Sequence, residues 1–356
     1  MSCSNVTVIG PLPPIRGGIA RHTRAVADAL AQVPGLHVDL LSFARLYPGW
    51  LYPGEAVIPA TGAPFQLDTI NPLSWRRAVR SIIARQPDLV VIPAWTFFVA
   101  PMFAFIAARL RRANIRVGMI VHNLSDHEGS GWKDRATRQQ LQQADFFITH
   151  SAHLAAGLAK AFPHVPVHLQ AHPAYDDFPA APAPLPRRAA TELLFFGYVR
   201  EYKGVDVLLQ AMARLADQDV KLTIAGEVWT GGQALRDQIA QLGLTDKVEL
   251  LDRYIDDSEV AALFGRCDAL VLPYRAATGS GVIATAHHFG TRVIASDIAG
   301  LREAVSSASG DMLVPVDNPE ALAAAIGQLA NSAPLPARQH TSDGWNAYCA
   351  AILAAA

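Results

Sequence analysis

LLFFGYVREYKGVDVLLQAMARLADQDVKLTIAGE, residues 193–227, reads as a strand, a turn, a helix and a second strand. Leu193–Phe196 is apolar throughout and Leu222–Ala225 is interrupted only by Thr223, as strands buried on both faces are. Gly197 ends the first run, Arg200 and Lys203 stand in a short loop, and helical periodicity starts after Gly204. Such a unit belongs to a parallel sheet covered by helices.

The same pattern extends in both directions. Downstream come Val248–Leu251, Ala269–Leu272, Val293–Ser296 and Met312–Val314. Upstream are Val6–Ile9, Val38–Leu41, Leu89–Ile92, Val117–Val121 and Phe146–Thr149. Ile19, Thr23, Val26, Leu30 and Val33 fall three or four apart, on one face of a helix. Between the two series, the proline- and alanine-rich segment 178–192 suits neither a helix interior nor a central strand. The reading is α/β, with two doubly wound Rossmann-like domains, 1–177 and 193–333, facing each other across a cleft. Residues 334–356 should hold a C-terminal helix, around Gly344–Leu353, that crosses back to the first domain. A ligand is expected at the carboxyl ends of the strands.

Composition limits the function. The 356 residues are 51% hydrophobic and 17% charged, with mean hydropathy +0.19, which excludes a disordered chain. Cys3, Cys267 and Cys349 are too few and too far apart for a disulfide framework or a CxxC zinc site. The N-terminus lacks a basic and apolar leader pattern, so a cytoplasmic protein is expected. Pro93–Ala108 carries no charge, but it is shorter than the roughly 20 residues that cross a bilayer and contains Pro101. It reads as a loop and a buried helix. Residues 1–186 carry 16 Lys+Arg against 11 Asp+Glu, whereas residues 187–356 carry 14 against 20. The basic half allows peripheral membrane contact; no stripe is dense enough for nucleic acid.

Four segments carry chemistry. After Val6–Ile9, the run from Gly10 through Arg16, Gly17 and Gly18 opens a helix whose free N–H groups favour anions; the alternative is a tight turn without a ligand. It is not GxGxxG, so a dinucleotide site is not expected. After Val117–Val121 comes HNLSDHEG, with His122, Asp126, His127 and Glu128. A loop is a poor zinc scaffold, so His122 reads either as a substrate-orienting or as a structural histidine. Arg200 and Lys203 beside a helix start suit a diphosphate, unless they are solvated surface charges. Finally, Thr278, Gly279, Ser280 and Gly281 precede a helical run and form an anion-binding nest. His287 and His288 within that run read as packing.

The order GYVREYKG, LTIAGEVW, VELLDRYIDDSEVAALFGRCDALVLPY, TGSGVIATAHHFGTRVIAS and DNPEALAAAI resembles the family 4 retaining glycosyltransferases, which have the two-domain GT-B fold. The early Gly-Gly turn and the histidine loop extend the likeness to nearly the whole chain. The resemblance implies that Lys203 and Arg200 grip the donor diphosphate. Tyr198 replaces the family's arginine after Gly197, so Arg200 is a shifted substitute. Gly281 and Val282 would hold the distal phosphate, with Thr278, Gly279 and Ser280 beside them. Arg253, Tyr254 and Ile255 would border the nucleobase, and Gly197 and Glu227 belong to the donor set. Gly17 and Gly18 would approach the donor phosphate, and His122 a donor-sugar hydroxyl. Arg16, His22, Asp126, His127 and Glu128 are acceptor-side candidates. Ala277 and Thr285 stand where many members carry paired glutamates, which leaves the sugar and ribose contacts to other residues.

The implied activity is transfer of a sugar from a nucleoside-diphosphate donor, UDP or GDP, to a glycan, lipid-linked or small-molecule acceptor. Neither metal nor cofactor is expected. The alternatives are another GT-B activity, such as a sugar-nucleotide epimerase or pseudo-glycosyltransferase, or a non-catalytic nucleotide- or glycan-binding protein.

Overall fold

A computed structural model describes residues 3–49, 64–123, 131–175, 177–179, 181, 183–229, 231–305, 310–329 and 344–356. The chain folds as two units. The first comprises the first 173 residues and the C-terminal helix; the second runs from Ala174 through helix Pro319–Leu329.

The first unit holds a seven-stranded parallel sheet. Its strands are β1 Asn5–Ile9, β2 His37–Arg45, β3 Phe65–Asp68, β4 Leu89–Ala94, β5 Arg116–Val121, β6 Phe146–Thr149 and β7 Val167–Leu169, in the order β3-β2-β1-β4-β5-β6-β7. Every residue of β4 is buried, as its unbroken apolar run requires. The edge strands β3 and β7 have no such run, because an edge strand need not be apolar on both faces. Helices α1 Gly18–Ala31, α2 Pro72–Arg85, α3 Ala100–Arg112, α4 Gly131–Leu141 and α5 Ala152–Ala161 join them. Pro101 lies in the first turn of α3, where no N–H is missed.

The second unit holds β8 Thr191–Phe196, β9 Val220–Ala225, β10 Val248–Leu251, β11 Ala269–Leu272, β12 Arg292–Ser296 and β13 Met312–Val314. Their order is β10-β9-β8-β11-β12-β13, again all parallel. β8 begins at Thr191, inside the segment read as linker, because Thr191 and Glu192 pair with Val220 and Lys221 of β9. Helices α6 Val205–Ala213, α7 Gly232–Gln241, α8 Asp257–Arg266, α9 Gly281–His288, α10 Ala299–Arg302 and α11 Pro319–Leu329 cover the sheet. Two apolar cores result, one per unit. The last helix, α12 Gly344–Ala355, packs on α1 of the first unit; its buried Cys349 points its thiol at the Val26 carbonyl.

Candidate active site

In each sheet the strand order reverses at one point: between β1 and β4, and between β8 and β11. Ligands of open α/β sheets bind at the carboxyl ends of strands flanking such a point. In the second unit those two ends carry the Gly197–Gly204 loop and the 273–281 loop, the third and fourth sequence motifs.

Gly197 has φ 107° and Gly204 φ 64°, both in the region that favours glycine. A Cβ on Gly204 would stand 2.0 Å from the Pro273 carbonyl oxygen, so this glycine lets the β8 loop touch the β11 loop. A single 3₁₀ turn, Glu201–Lys203, aims the Lys203 ammonium back at Gly197, 3.3 Å from where a Cβ would stand there. Lys203 Nζ lies 5.3 Å from the Tyr274 ring centroid, and the buried Tyr274 hydroxyl interacts with the Ser280 side chain at the start of α9. Lys203, Tyr274 and Ser280 thus form one continuous group across the reversal point. Burial, and then the Arg200 guanidinium, push the Lys203 ammonium down to about 7. Arg200 stacks 3.6 Å above the Trp229 ring.

α9 begins without a side-chain cap, so its first N–H groups face outward from the Thr278–Gly281 turn. Gly279 is exposed, and Thr278, Ser280, Gly281 and Val282 are partly so. Gly300 of α10 packs on this turn so closely that a Cβ would meet the Ala277 carbonyl oxygen at 2.0 Å. Thr285 is buried and returns its hydroxyl to the Gly281 carbonyl at 3.4 Å, turned into the helix. His287 binds the buried Asp311 at 2.8 Å, which makes it a packing residue.

Arg253 follows β10 in the loop before α8. Its guanidinium makes a bidentate pair with Glu259, both bonds 2.7 Å, on the exposed side of α8. Ile255 is buried, Tyr254 is partly exposed, and Glu227 follows β9, its carbonyl accepting the Val199 N–H at 2.9 Å.

Sequence reading missed Arg275. Its guanidinium donates to both Asp206 oxygens at 2.9 and 2.7 Å, to Asp317 at 2.6 Å and to the Glu201 carbonyl at 2.8 Å. Its own N–H bonds the Tyr202 carbonyl. Arg275 therefore locks the turn that carries Lys203 to the loop that carries Ser280. No local motif marks it, since its partners come from residues 201, 206 and 317.

In the first unit Gly17, φ 123°, precedes α1 without a side-chain cap, and a Cβ on Gly18 would meet nothing within 4 Å. This helix start is open to an anion, with the partly exposed Arg16 beside it. His22, an acceptor-side candidate, faces inward instead: it is 2% exposed and packs against Trp345 and Tyr348 of α12. The buried face of an amphipathic helix holds it there. His122, immediately after β5, lies edge-on to His22 with ring centroids 4.7 Å apart. Burial pushes His122 down to about 3, and burial also lowers His22, His150 and His172. Asp126, His127 and Glu128 lie outside the described residues.

Residues 16–174 match the family model described as Glycosyltransferase Family 4, and residues 190–332 the one described as Glycosyl transferases group 1. A GDP-mannose:glycolipid 4-beta-D-mannosyltransferase of Xanthomonas campestris pv. campestris is 29% identical over 196 residues, 54% of this chain and 53% of the relative. A phosphatidyl-myo-inositol mannosyltransferase of Mycolicibacterium smegmatis is 31% identical over 153 residues, 41% of this chain and 38% of the relative. The chain spans about half the length, or less, of the curated relatives it matches. Sucrose-phosphate synthase from Thermosynechococcus elongatus superimposes with a TM-score of 0.73 at 19% identity, over 98% of this chain and 95% of that one. Anabaena HepE, solved in complex with UDP-glucose, gives 0.68 at 16% identity, over 99% and 100%.

Proposed function

Because the chain belongs to the family 4, group 1 glycosyltransferases and has their GT-B fold, we propose that it moves a sugar from a nucleoside-diphosphate sugar to a glycan, lipid-linked or small-molecule acceptor. One observation carries this reading: Lys203 and the open start of α9, joined through Tyr274 and Ser280, converge where the second sheet reverses its order. A cation and outward N–H groups there suit a diphosphate. HepE's complex with UDP-glucose supports a nucleotide-sugar donor, and the Xanthomonas relative's name supports GDP.

In the reaction the bond from the anomeric carbon to the diphosphate oxygen breaks, and its electron pair leaves with the diphosphate. The acceptor hydroxyl oxygen bonds the same carbon and loses its proton to the departing phosphate oxygen. Lys203, Arg200 and the α9 N–H groups stabilise the growing negative charge, so the diphosphate requires no metal. No protein nucleophile is needed. Arg275 acts as a positioning residue.

We take the anomeric configuration as retained, following the family the motifs resemble. A second reading has specific support: the Xanthomonas relative's name denotes a β-mannoside. Proton NMR of the product made from an α-linked donor separates the two.

For a lipid-linked acceptor, the reading has the enzyme in the cytoplasm, docked on the inner face of the membrane through α2. No described helix is long and apolar enough to span a bilayer. Assaying UDP and GDP release from a panel of sugar donors, with and without acceptor and with no added metal, tests the proposal. Saturable binding without any release would favour a non-catalytic binder.

A further inference from the structure

The first unit contains a histidine cluster separate from the Lys203 group of the second unit. His122 follows β5, His150 follows β6, and His172 lies three residues beyond β7. These strands are neighbours in the sheet, so the three histidines stand side by side along one edge. His22 reaches them from α1. Ring centroids are 4.7 Å apart for His22–His122, 5.2 Å for His22–His150 and 5.2 Å for His122–His150. His172 completes the group, 5.2 Å from His22 and 5.0 Å from His150.

We propose that His22, His122 and His150 form a binding site for a divalent transition-metal ion, zinc being the best fit, with His172 available as the fourth ligand. One ring nitrogen from each of the three lies within 4.8 Å of the others. Zinc at about 2.1 Å from each nitrogen brings tetrahedral ligands to about 3.4 Å apart, a closure that rotation of the rings supplies.

The hydrogen bonds point the same way. His150 Nδ1 lies 3.3 Å from the Gln170 carbonyl oxygen, and His172 Nδ1 2.7 Å from the Pro173 carbonyl oxygen. A carbonyl only accepts, so each Nδ1 carries the proton and each Nε2 keeps its lone pair. Metal-ligating histidines are oriented in this way. The Nε2 atoms of His22 and His150 are buried and have no hydrogen-bond partner among the described residues. A buried polar nitrogen without a partner calls for an explanation, and a cation supplies one.

The donor set selects the ion. All candidate ligands are imidazoles, which suit zinc, nickel or copper rather than magnesium or calcium. Trp345 and Tyr348 pack edge-on against His22 and keep the site dry. An ion here would tie together α1 and the ends of three strands. It gives the Nε2 of His122 a role other than contact with a sugar hydroxyl. The site shares no residue with the Lys203 group, so either proposal can fail without the other.

The test uses the full chain, freed of any affinity tag and stripped with chelator. Isothermal titration with Zn²⁺ should give one ion per chain, and Co²⁺ should produce the intense visible bands of a four-coordinate ion. Zn²⁺ should raise the melting temperature, and Mg²⁺ should not. His22→Gln and His150→Gln should each weaken Zn²⁺ binding by at least about 10- to 100-fold, since even outer-shell changes cost that much. His164→Gln, at an exposed histidine, should change nothing. If a variant fails to fold, the wild-type cobalt spectrum and stoichiometry decide alone. Absence of one-to-one binding by the wild-type chain would overturn the proposal. So would folded His22→Gln and His150→Gln variants that bind Zn²⁺ as tightly as wild type.

Discussion

At the scale of the residue, Lys203 carries the account. An ammonium held at about 7 is only partly charged near neutrality, and a diphosphate beside it favours the charged form. Between about pH 7 and its ordinary 10.5 the unfolded chain holds more protons here than the folded one, so folded stability rises with pH across that window. Donor binding draws the pKa back up. Nucleoside-diphosphate binding near about pH 8 should therefore take up protons, read by calorimetry in buffers of different ionisation enthalpy, and Lys203→Met should abolish the uptake. Lys203→Ala should lower kcat/KM by roughly 10²–10³, with kcat falling too because charge grows in the transition state. Lys203→Arg should rescue only partly. Lys247 is a poor control, because its ammonium holds the Leu215 and Gln218 carbonyls. The exposed Lys160 serves better. Lys203 and Arg200 were legible because strand, turn and helix follow one another within a dozen residues. Arg275 and the histidine cluster were not, because their partners meet only after the sheets form.

At the scale of the element, the strands of the second sheet and the central strands of the first were legible, and the edges of the first were not. Six largely apolar runs in the second half became six strands, whereas the short edge strands β3 and β7 of the first sheet left no periodic trace. Gly204 shows what joins elements at the site. Gly204→Ala places a Cβ in left-handed backbone and 2.0 Å from the Pro273 oxygen. It should cost at least about 2 kcal/mol, seen as a lower denaturant midpoint, with activity falling as the loop shifts. Arg275→Ala should lower kcat at little change in secondary structure, by releasing the turn that carries Lys203. In α2, Ile82 is buried in the core. The exposed face presents Leu73, 63% exposed, with Arg76, Arg77 and Arg80 at helical spacing. Replacing all three arginines by Gln should reduce sedimentation with anionic vesicles and leave neutral vesicles unaffected. Equal pelleting with both kinds of vesicle by the wild type would remove the membrane role.

At the scale of the whole molecule, the charge asymmetry of the sequence resolves into two differently built units. The second anchors β8 and β10 through a network in which Arg188 and Arg266 share Glu192, Glu249 and Thr223, with Glu192 1% exposed. The first gathers four histidines under the C-terminal helix. Both sheets reverse their order once, and in the second this brings together two loops some 70 residues apart in sequence, Gly197–Gly204 and 273–281. The central claim is that a diphosphate sits at that reversal. The most direct test is nucleoside-diphosphate release from GDP- and UDP-sugar donors by the wild-type chain and by Lys203→Ala, each checked for folding by circular dichroism. The account predicts release by the wild type from at least one donor and a loss of roughly 10²–10³ in the variant. A folded Lys203→Ala chain that releases the diphosphate at the wild-type rate would contradict it.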